Sequence, residues 1–205
     1  MESGTQKITA IFFVTLATLL LARVAYCQQT GGSYDGQWWL SITPEEQAGF
    51  LNGYLDCYAF EYGGPPSYWI ENPEAAEPAI TALYQTNPAT DGTPVSEVFS
   101  RLPARQPDEA SAATRVKERH SIYDGSYWKQ ISALGGPERG QLGFVEGYLA
   151  CHAGFGHNRG GVFSRTPAEY MALISQWYRF DEYTGEINRR RARKPIAEVL
   201  ERFKD

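Results

Sequence analysis

The sequence predicts an all-α protein of two homologous helical units, packed as a pseudo-twofold bundle and preceded by an N-terminal signal segment. Three observations predict this class. Several blocks of residues recur in the same order in the two halves of the chain. Apolar side chains recur at the three- and four-residue spacing of helices. After the first apolar run, no segment shows the sustained apolar–polar alternation that is typical of strands.

Residues 1–27 have the layout of a secretory signal peptide. Lys7 precedes an apolar run at 8–24, and Ala25 and Cys27 provide small residues before a cut after Cys27. No later apolar stretch reaches the length of about 18 residues that a membrane span needs. We therefore expect an exported protein, periplasmic or secreted, with no membrane span after signal removal.

Two other fates of this segment stay open. It could be retained as a single-span anchor, although Arg23 interrupts the apolar run. It could also end in a lipoprotein attached through Cys27, although Tyr26 is not the small residue expected before a lipidated cysteine.

An internal repeat organises the rest of the chain. It predicts one helical unit at 34–102 and a second at 123–203, and the corresponding blocks are 34–42 with 123–131, 49–57 with 143–151, and 94–99 with 195–200. The segment 103–122 between them is rich in proline, alanine, serine and charged residues, so it is predicted to be a linker.

Helix starts recur at corresponding places in both units. A threonine, a proline and a later glutamate form the same capping-box pattern at 43–46 and at 166–169. Asp35 and Asp124 are expected to cap the short tryptophan-bearing turns, and Thr93-Pro94 and Lys194-Pro195 are expected to open the final helices.

Small residues form one stripe on each long helix. The stripes are Gly49, Gly53 and Cys57 in the first unit, and Gly143, Gly147 and Cys151 in the second. Because glycine inside a helix costs about 1 kcal/mol relative to alanine, we expect the two stripes to face each other at close range. Cys57 and Cys151 would then lie near the axis and could form a disulfide, or each could be a buried thiol in the core of its own unit.

Charge differs between the two halves. Residues 28–102 carry ten acidic residues and one basic residue, whereas residues 103–205 carry thirteen acidic and sixteen basic residues. The acidic balance of the exported chain argues against a nucleic-acid partner. The basic run that begins with Arg189, Arg190 and Arg191 could face an anionic partner, or it could be a solvated insertion before the last helix.

Aromatic residues beside glycine and proline form another candidate binding surface. Tyr62, Tyr68 and Trp69 occur in the connection between two predicted helices of the first unit. Such residues can contact a partner, or they can close the end of a small helical core.

Two histidines are the candidates for chemistry. His152 and His157 flank a glycine-rich turn after Cys151. No serine-hydrolase, metalloprotease or phosphate-loop motif occurs in the chain. We therefore expect a polar helix end here, with no catalytic residue, metal or cofactor; the alternative is a catalytic or metal-binding histidine.

The order of features within each unit resembles a known family. A Gly-Tyr helix with a small stripe is followed by Leu83-Tyr84-Gln85-Thr86-Asn87-Pro88 and then by Pro94-Val95-Ser96-Glu97-Val98-Phe99. This layout resembles the exported helical modules of the type VI secretion amidase-immunity family. The resemblance implies a periplasmic α-helical protein that binds a wall-cutting toxin. The chain departs from that family in keeping one cysteine per unit and in being doubled.

Together these features predict an exported, non-enzymatic helical binding or structural protein. Its partner would be a protein or another envelope component, and immunity-like binding of an envelope protein is one form of this function. The alternative is a hydrolase or metal-dependent enzyme outside the cytoplasm that uses His152 or His157. Histidines that approach carboxylates would favour the enzyme.

Overall fold

The computed structural model describes residues 34–62, 73–102, 123–133, 138–154, 161–178 and 189–205. The expected all-α class is confirmed, since these ranges contain helices and two isolated β-bridges but no strand. Residues 34–205 form one compact unit. The predicted signal peptide and the predicted linker at 103–122 lie outside the described residues.

Helices make up most of the described residues in both halves of the chain. In the first half they are α1 (Gly36–Ser41), α2 (Pro44–Tyr62), α3 (Pro73–Thr86) and α4 (Val95–Arg101), with a 3-10 turn at Pro88–Thr90. In the second half they are α5 (Gly125–Ala133), α6 (Arg139–Gly154), α7 (Pro167–Trp177), α8 (Arg189–Ala192) and α9 (Ile196–Glu201). None of these helices is both long and apolar enough to cross a membrane.

Polar side chains cap the helices at the predicted places. Thr166 and Glu169 form a complete capping box at the start of α7. Thr43 Oγ1 accepts a hydrogen bond from the N–H of Glu46 at 3.4 Å. Asp35 Oδ1 accepts from the N–H of Trp38 at 3.0 Å at the start of α1, and Asp124 caps α5 in the same way. These hydrogen bonds satisfy N–H groups that have no partner inside the helix.

In the final helix of each half, the proline precedes the first helical residue instead of occupying that position. Pro94 and Pro195 occupy the capping positions with extended ψ angles of 141° and 140°. The following N–H groups therefore bond elsewhere, Val95 to the carbonyl of Tyr34 at 2.6 Å and Ile196 to the carbonyl of Tyr123 at 2.9 Å. Each of these bonds ties a final helix to the start of its own half.

The long helices α2 and α6 pack against each other through glycine, as the stripes predict. A Cβ atom built on any of four glycines would overlap a main-chain carbonyl of the opposite helix; these are Gly49 and Gly53 on α2 and Gly143 and Gly147 on α6. Only hydrogen at these positions allows the two backbones to approach this closely.

A disulfide between Cys57 and Cys151 continues the same contact. It joins α2 to α6 across 94 positions of sequence, with the two Cα atoms 6.2 Å apart and both residues buried. Of the two alternatives for these cysteines, the structure has the disulfide.

The core on each side of this helix pair uses corresponding contacts. The indole N–H of Trp39 donates to Thr81 at 2.9 Å, and that of Trp128 donates to Ser175 at 3.1 Å. The Gln47 side chain donates to the Trp39 carbonyl, and Gln141 donates to the Trp128 carbonyl in the same way. The Tyr84 hydroxyl donates to the Thr93 carbonyl, and the Tyr178 hydroxyl donates to the Lys194 carbonyl.

Candidate functional site

Three helices bring ionisable side chains together where they end. Glu61 is the second-last residue of α2, His152 lies in the last turn of α6, and Glu201 is the last residue of α9. One carboxylate oxygen of each glutamate and one ring nitrogen of the histidine lie within 4.8 Å of one another. We call these three residues the Glu–His–Glu cluster.

The electrostatics of the Glu–His–Glu cluster favour a cation. The C-terminal end of a helix carries a partial negative charge, and three helices end here beside two carboxylates. Lys204 supplies one cation: its Nζ lies 2.7 Å from Glu201 Oε2, and its side chain is only 5% exposed. The same ammonium group lies 4.8 Å from the centre of the Phe163 ring.

Tyr148 provides a buried hydrogen-bond donor to the cluster. Its hydroxyl donates to Glu201 Oε1 at 3.3 Å. Burial raises the pKa of Tyr148 well above its ordinary value, and the charges of Glu201, Asp56 and Glu61 raise it further. The hydroxyl therefore keeps its proton and orients the Glu201 carboxylate. Asp56, which is fully buried, adds negative charge to the same region.

The imidazole of His152 is held against an aromatic ring. It meets Phe163 edge to face, with the ring centres 4.8 Å apart. His152 does lie at a polar helix end, as expected, but it also approaches two carboxylates. That proximity favours the enzyme alternative, because a nearby carboxylate can orient an imidazole that transfers a proton.

A second candidate surface consists of Trp177, Arg191 and Arg202, which we call the Arg–Trp surface. The guanidinium carbons of Arg191 and Arg202 lie 5.2 Å and 4.9 Å from the centre of the Trp177 ring. Arg191 also donates to the Trp177 main-chain carbonyl at 3.4 Å. Both arginines are exposed, and neither forms an ion pair within the described ranges.

Two polar side chains occupy corresponding positions between the halves. Asn52 on α2 donates to the Tyr127 hydroxyl at 2.6 Å and accepts from the Tyr123 hydroxyl at 2.7 Å. Glu146 on α6 is its counterpart, and its Oε2 is buried without a hydrogen bond in the part of the chain that is described. Burial, followed by the charge of Glu46, raises the pKa of Glu146 to about 8. This carboxyl is therefore largely protonated at neutral pH.

The structure places only part of the predicted binding set. Arg190 and Arg191 are exposed on α8, and His152 joins the cluster. The other five predicted residues are not fully described: Tyr68, Trp69 and His157 are outside the described residues, and Tyr62 and Arg189 are described by backbone alone.

Most residues in and around the Glu–His–Glu cluster could not be identified from the sequence. Glu61, Glu201, Tyr148 and Lys204 form no local motif, because the cluster is assembled from the ends of helices that are far apart in the chain. A signal existed in the repeat, since His152 stands where the first half has Tyr58. A position that differs between two otherwise matching blocks can mark a function of one half alone.

The comparisons with known proteins identify no relative. No family model matches the chain, and no curated protein and no solved structure is significantly similar to it. The resemblance to the type VI secretion amidase-immunity family therefore stays a prediction.

Proposed function

We propose that this chain is an exported helical binding protein whose Arg–Trp surface engages an acidic patch on a protein of the cell envelope. The observation that carries the proposal is the pair of exposed guanidinium groups held against one indole ring. Tryptophan and arginine are the residues most enriched among those that dominate protein–protein binding energy.

The positive charge of the Arg–Trp surface favours an acidic partner. Arg191, Arg193 and Arg202 are exposed and make no ion pair within the described ranges, whereas the neighbouring Lys194 is paired with Glu198 at 3.0 Å. Stacking on Trp177 restricts the arginine side chains before a partner arrives, so less conformational entropy is lost on binding. Guanidinium groups in this arrangement can bind carboxylates with two hydrogen bonds each.

The scaffold behind this surface supports a binding role. The glycine contact and the Cys57–Cys151 disulfide hold α2 against α6, and a rigid protein pays little to adopt its bound shape. We infer that the scaffold arose by duplication of one helical unit into a pseudo-twofold pair. The matching hydrogen bonds of Trp39 and Trp128 support this inference.

Export is part of the same proposal. Disulfides persist in oxidising compartments and are rare in the cytosol, so the Cys57–Cys151 bond supports the interpretation of residues 1–27 as a secretory signal. The partner would then be an envelope protein, and immunity-like blocking of a wall-cutting enzyme is the form of binding that the family resemblance favours.

A capture experiment tests the proposal. The mature chain from residue 28, with its disulfide formed, is immobilised and exposed to the envelope fraction of its own source. We expect a specific protein to be captured by the wild-type chain, with capture reduced at least about tenfold by Trp177→Ala and by Arg191→Glu/Arg202→Glu. Arg101→Glu is the control for charge reversal, because Arg101 is an exposed helical arginine of the first half, where it pairs with Glu97. Equal capture by all four chains would contradict the proposal.

The Glu–His–Glu cluster favours a second candidate function, an enzyme that acts outside the cytoplasm. A histidine beside two carboxylates can move a proton or hold a metal ion. The mature chain and a His152→Tyr variant, assayed on cell-wall peptides and simple esters, distinguish the candidates. Turnover that His152→Tyr abolishes would establish the enzyme, and equal background rates would remove it.

A further inference from the structure

We propose that Glu61, His152 and Glu201 form a binding site for a divalent transition-metal ion, of which Zn²⁺ is the best match. The three side chains offer one nitrogen and two oxygen donors. Imidazole and carboxylate together are ligands that zinc accepts readily in proteins, in three-ligand sites that leave a position for water. This site shares no residue with the Arg–Trp surface and goes beyond the binding function.

The distances require only side-chain adjustment. Around a tetrahedral ion with bonds of about 2.1 Å, neighbouring donor atoms are about 3.4 Å apart. The three donors here lie within 4.8 Å of one another. Each needs to move by about 1 Å or less toward a common centre, which rotation about the glutamate side-chain bonds can provide.

The surroundings favour a doubly charged ion over a singly charged one. Two carboxylates and the C-terminal ends of α2, α6 and α9 place negative charge at one point. Lys204 neutralises part of it through its contact with Glu201. A divalent ion would neutralise both carboxylates and coordinate His152 as well, which an ammonium group cannot do because it has no vacant orbital to accept the imidazole lone pair.

The neighbours of the ligands are those that a metal site needs. The Tyr148 hydroxyl donates to Glu201 Oε1 at 3.3 Å and so fixes the carboxylate. Phe163 packs against the His152 ring at 4.8 Å and fixes the plane of the imidazole. Such outer contacts commonly change metal affinity by about 10- to 100-fold.

The first half of the chain supplies natural replacements for two of the ligands. Tyr58 stands in the position that corresponds to His152, and Ser100 stands in the position that corresponds to Glu201. The other half therefore lacks this donor set. His152→Tyr and Glu201→Ser are variants whose side chains a homologous position already accepts.

Zinc titration of the untagged, metal-free mature chain tests the site. Isothermal calorimetry should show one Zn²⁺ per chain, and His152→Tyr should weaken binding about 100-fold or more, with Glu201→Ser acting in the same direction. Tyr148→Phe should weaken it about tenfold, by removing the hydrogen bond to Glu201. Mg²⁺ should bind far more weakly than Zn²⁺, because it prefers oxygen ligands.

The zinc affinity of Lys204→Met distinguishes a metal site from a purely structural role of the Glu–His–Glu cluster. If the ammonium group and the metal compete for Glu201, removing the ammonium should tighten zinc binding about tenfold while leaving one ion per chain. Circular dichroism and thermal unfolding of each metal-free variant check that it is folded.

Three results would overturn the proposal. One is no zinc binding by the folded wild-type chain at about millimolar concentration, which would leave the cluster as an ion-pair network with Lys204. Another is unchanged zinc affinity in folded His152→Tyr and Glu201→Ser, which would place the ion elsewhere. The third is weaker binding in Lys204→Met, which would show that the lysine does not compete.

Discussion

Glu146 should make the protein less stable as the pH rises, and a single substitution should remove this dependence. Burial raises the pKa of Glu146 in the folded protein from an ordinary 4.5 to about 8. Between these values the folded chain keeps a proton that the unfolded chain releases. The free energy of unfolding therefore falls with rising pH, by about 1.4 kcal/mol for each pH unit from this group alone.

The substitution is Glu146→Gln, which keeps the shape and removes the ionisation. The counterpart of Glu146 in the first half is already an amide, Asn52, and it is satisfied by two tyrosine hydroxyls. From about pH 5 to about pH 7.5, the difference in stability between Glu146→Gln and wild type should grow by about 3 kcal/mol in favour of the variant.

Urea unfolding followed by tryptophan fluorescence measures this difference, with the disulfide intact. Taking differences between variant and wild type cancels the titration of the groups that do not interact with Glu146; Glu46, whose charge acts on Glu146, does not cancel completely. Glu138→Gln, which changes an exposed carboxylate that forms no ion pair among the described residues, is the control and should run parallel to wild type. If Glu146→Gln also runs parallel across this range, the carboxyl is already ionised in the folded protein and the argument from burial fails.

Three further predictions concern stability. Replacing Cys57 and Cys151 by alanine should lower the free energy of unfolding by about 4 to 5 kcal/mol in the loop-entropy model, because the bond spans 94 positions. Denaturant unfolding with and without reductant measures this change, and an unchanged free energy would show that the bond does not form. Gly147→Ala should lower the free energy of unfolding by about 3 kcal/mol or more, because the added Cβ overlaps the opposite backbone. Gly154→Ala, where a Cβ meets nothing within 4 Å, should not destabilise the protein. Equal melting temperatures of the two variants would refute the close helix contact. Thr166→Ala should cost about 1 kcal/mol by removing the capping box, and an unchanged chemical midpoint would mean that the cap is not formed in solution.

The helix contact could be predicted from sequence because its signals are local and repeated. Gly53 and Gly147 carry a cost in any helix, and the cost appears at the same place in two matching blocks. In the structure, the backbone of the opposite helix occupies the space that a Cβ atom would need at each of these glycines. The cysteines follow from the same register, since they continue the stripes by one turn.

The Glu–His–Glu cluster could not be predicted in this way. Glu61, His152 and Glu201 lie on three helices, and their approach depends on where each helix ends, which is the least regular part of a helix. A glutamate in a last turn is also ordinary on a polar surface. Only the packing of the helices distinguishes these carboxylates from solvated ones.

The burial of the Glu146 carboxyl could not be predicted from the sequence either, for a different reason. Its block reads as a helix with one polar residue, and a polar residue usually faces water. The matching block has Asn52 at this place, so two polar residues recur where the flanking positions are apolar. That recurrence is consistent with their position between the two halves, where Asn52 bonds to tyrosine hydroxyls and the charge of Glu146 acts on Tyr34.

The link between Cys57 and Cys151 means that continuity of the polypeptide between them is not required to keep the molecule whole. A protease that severs any one peptide bond between residues 57 and 151 produces two fragments that still migrate as a single species until a reductant is added. In a compartment where proteases are abundant, a nicked molecule would thus keep its two halves side by side.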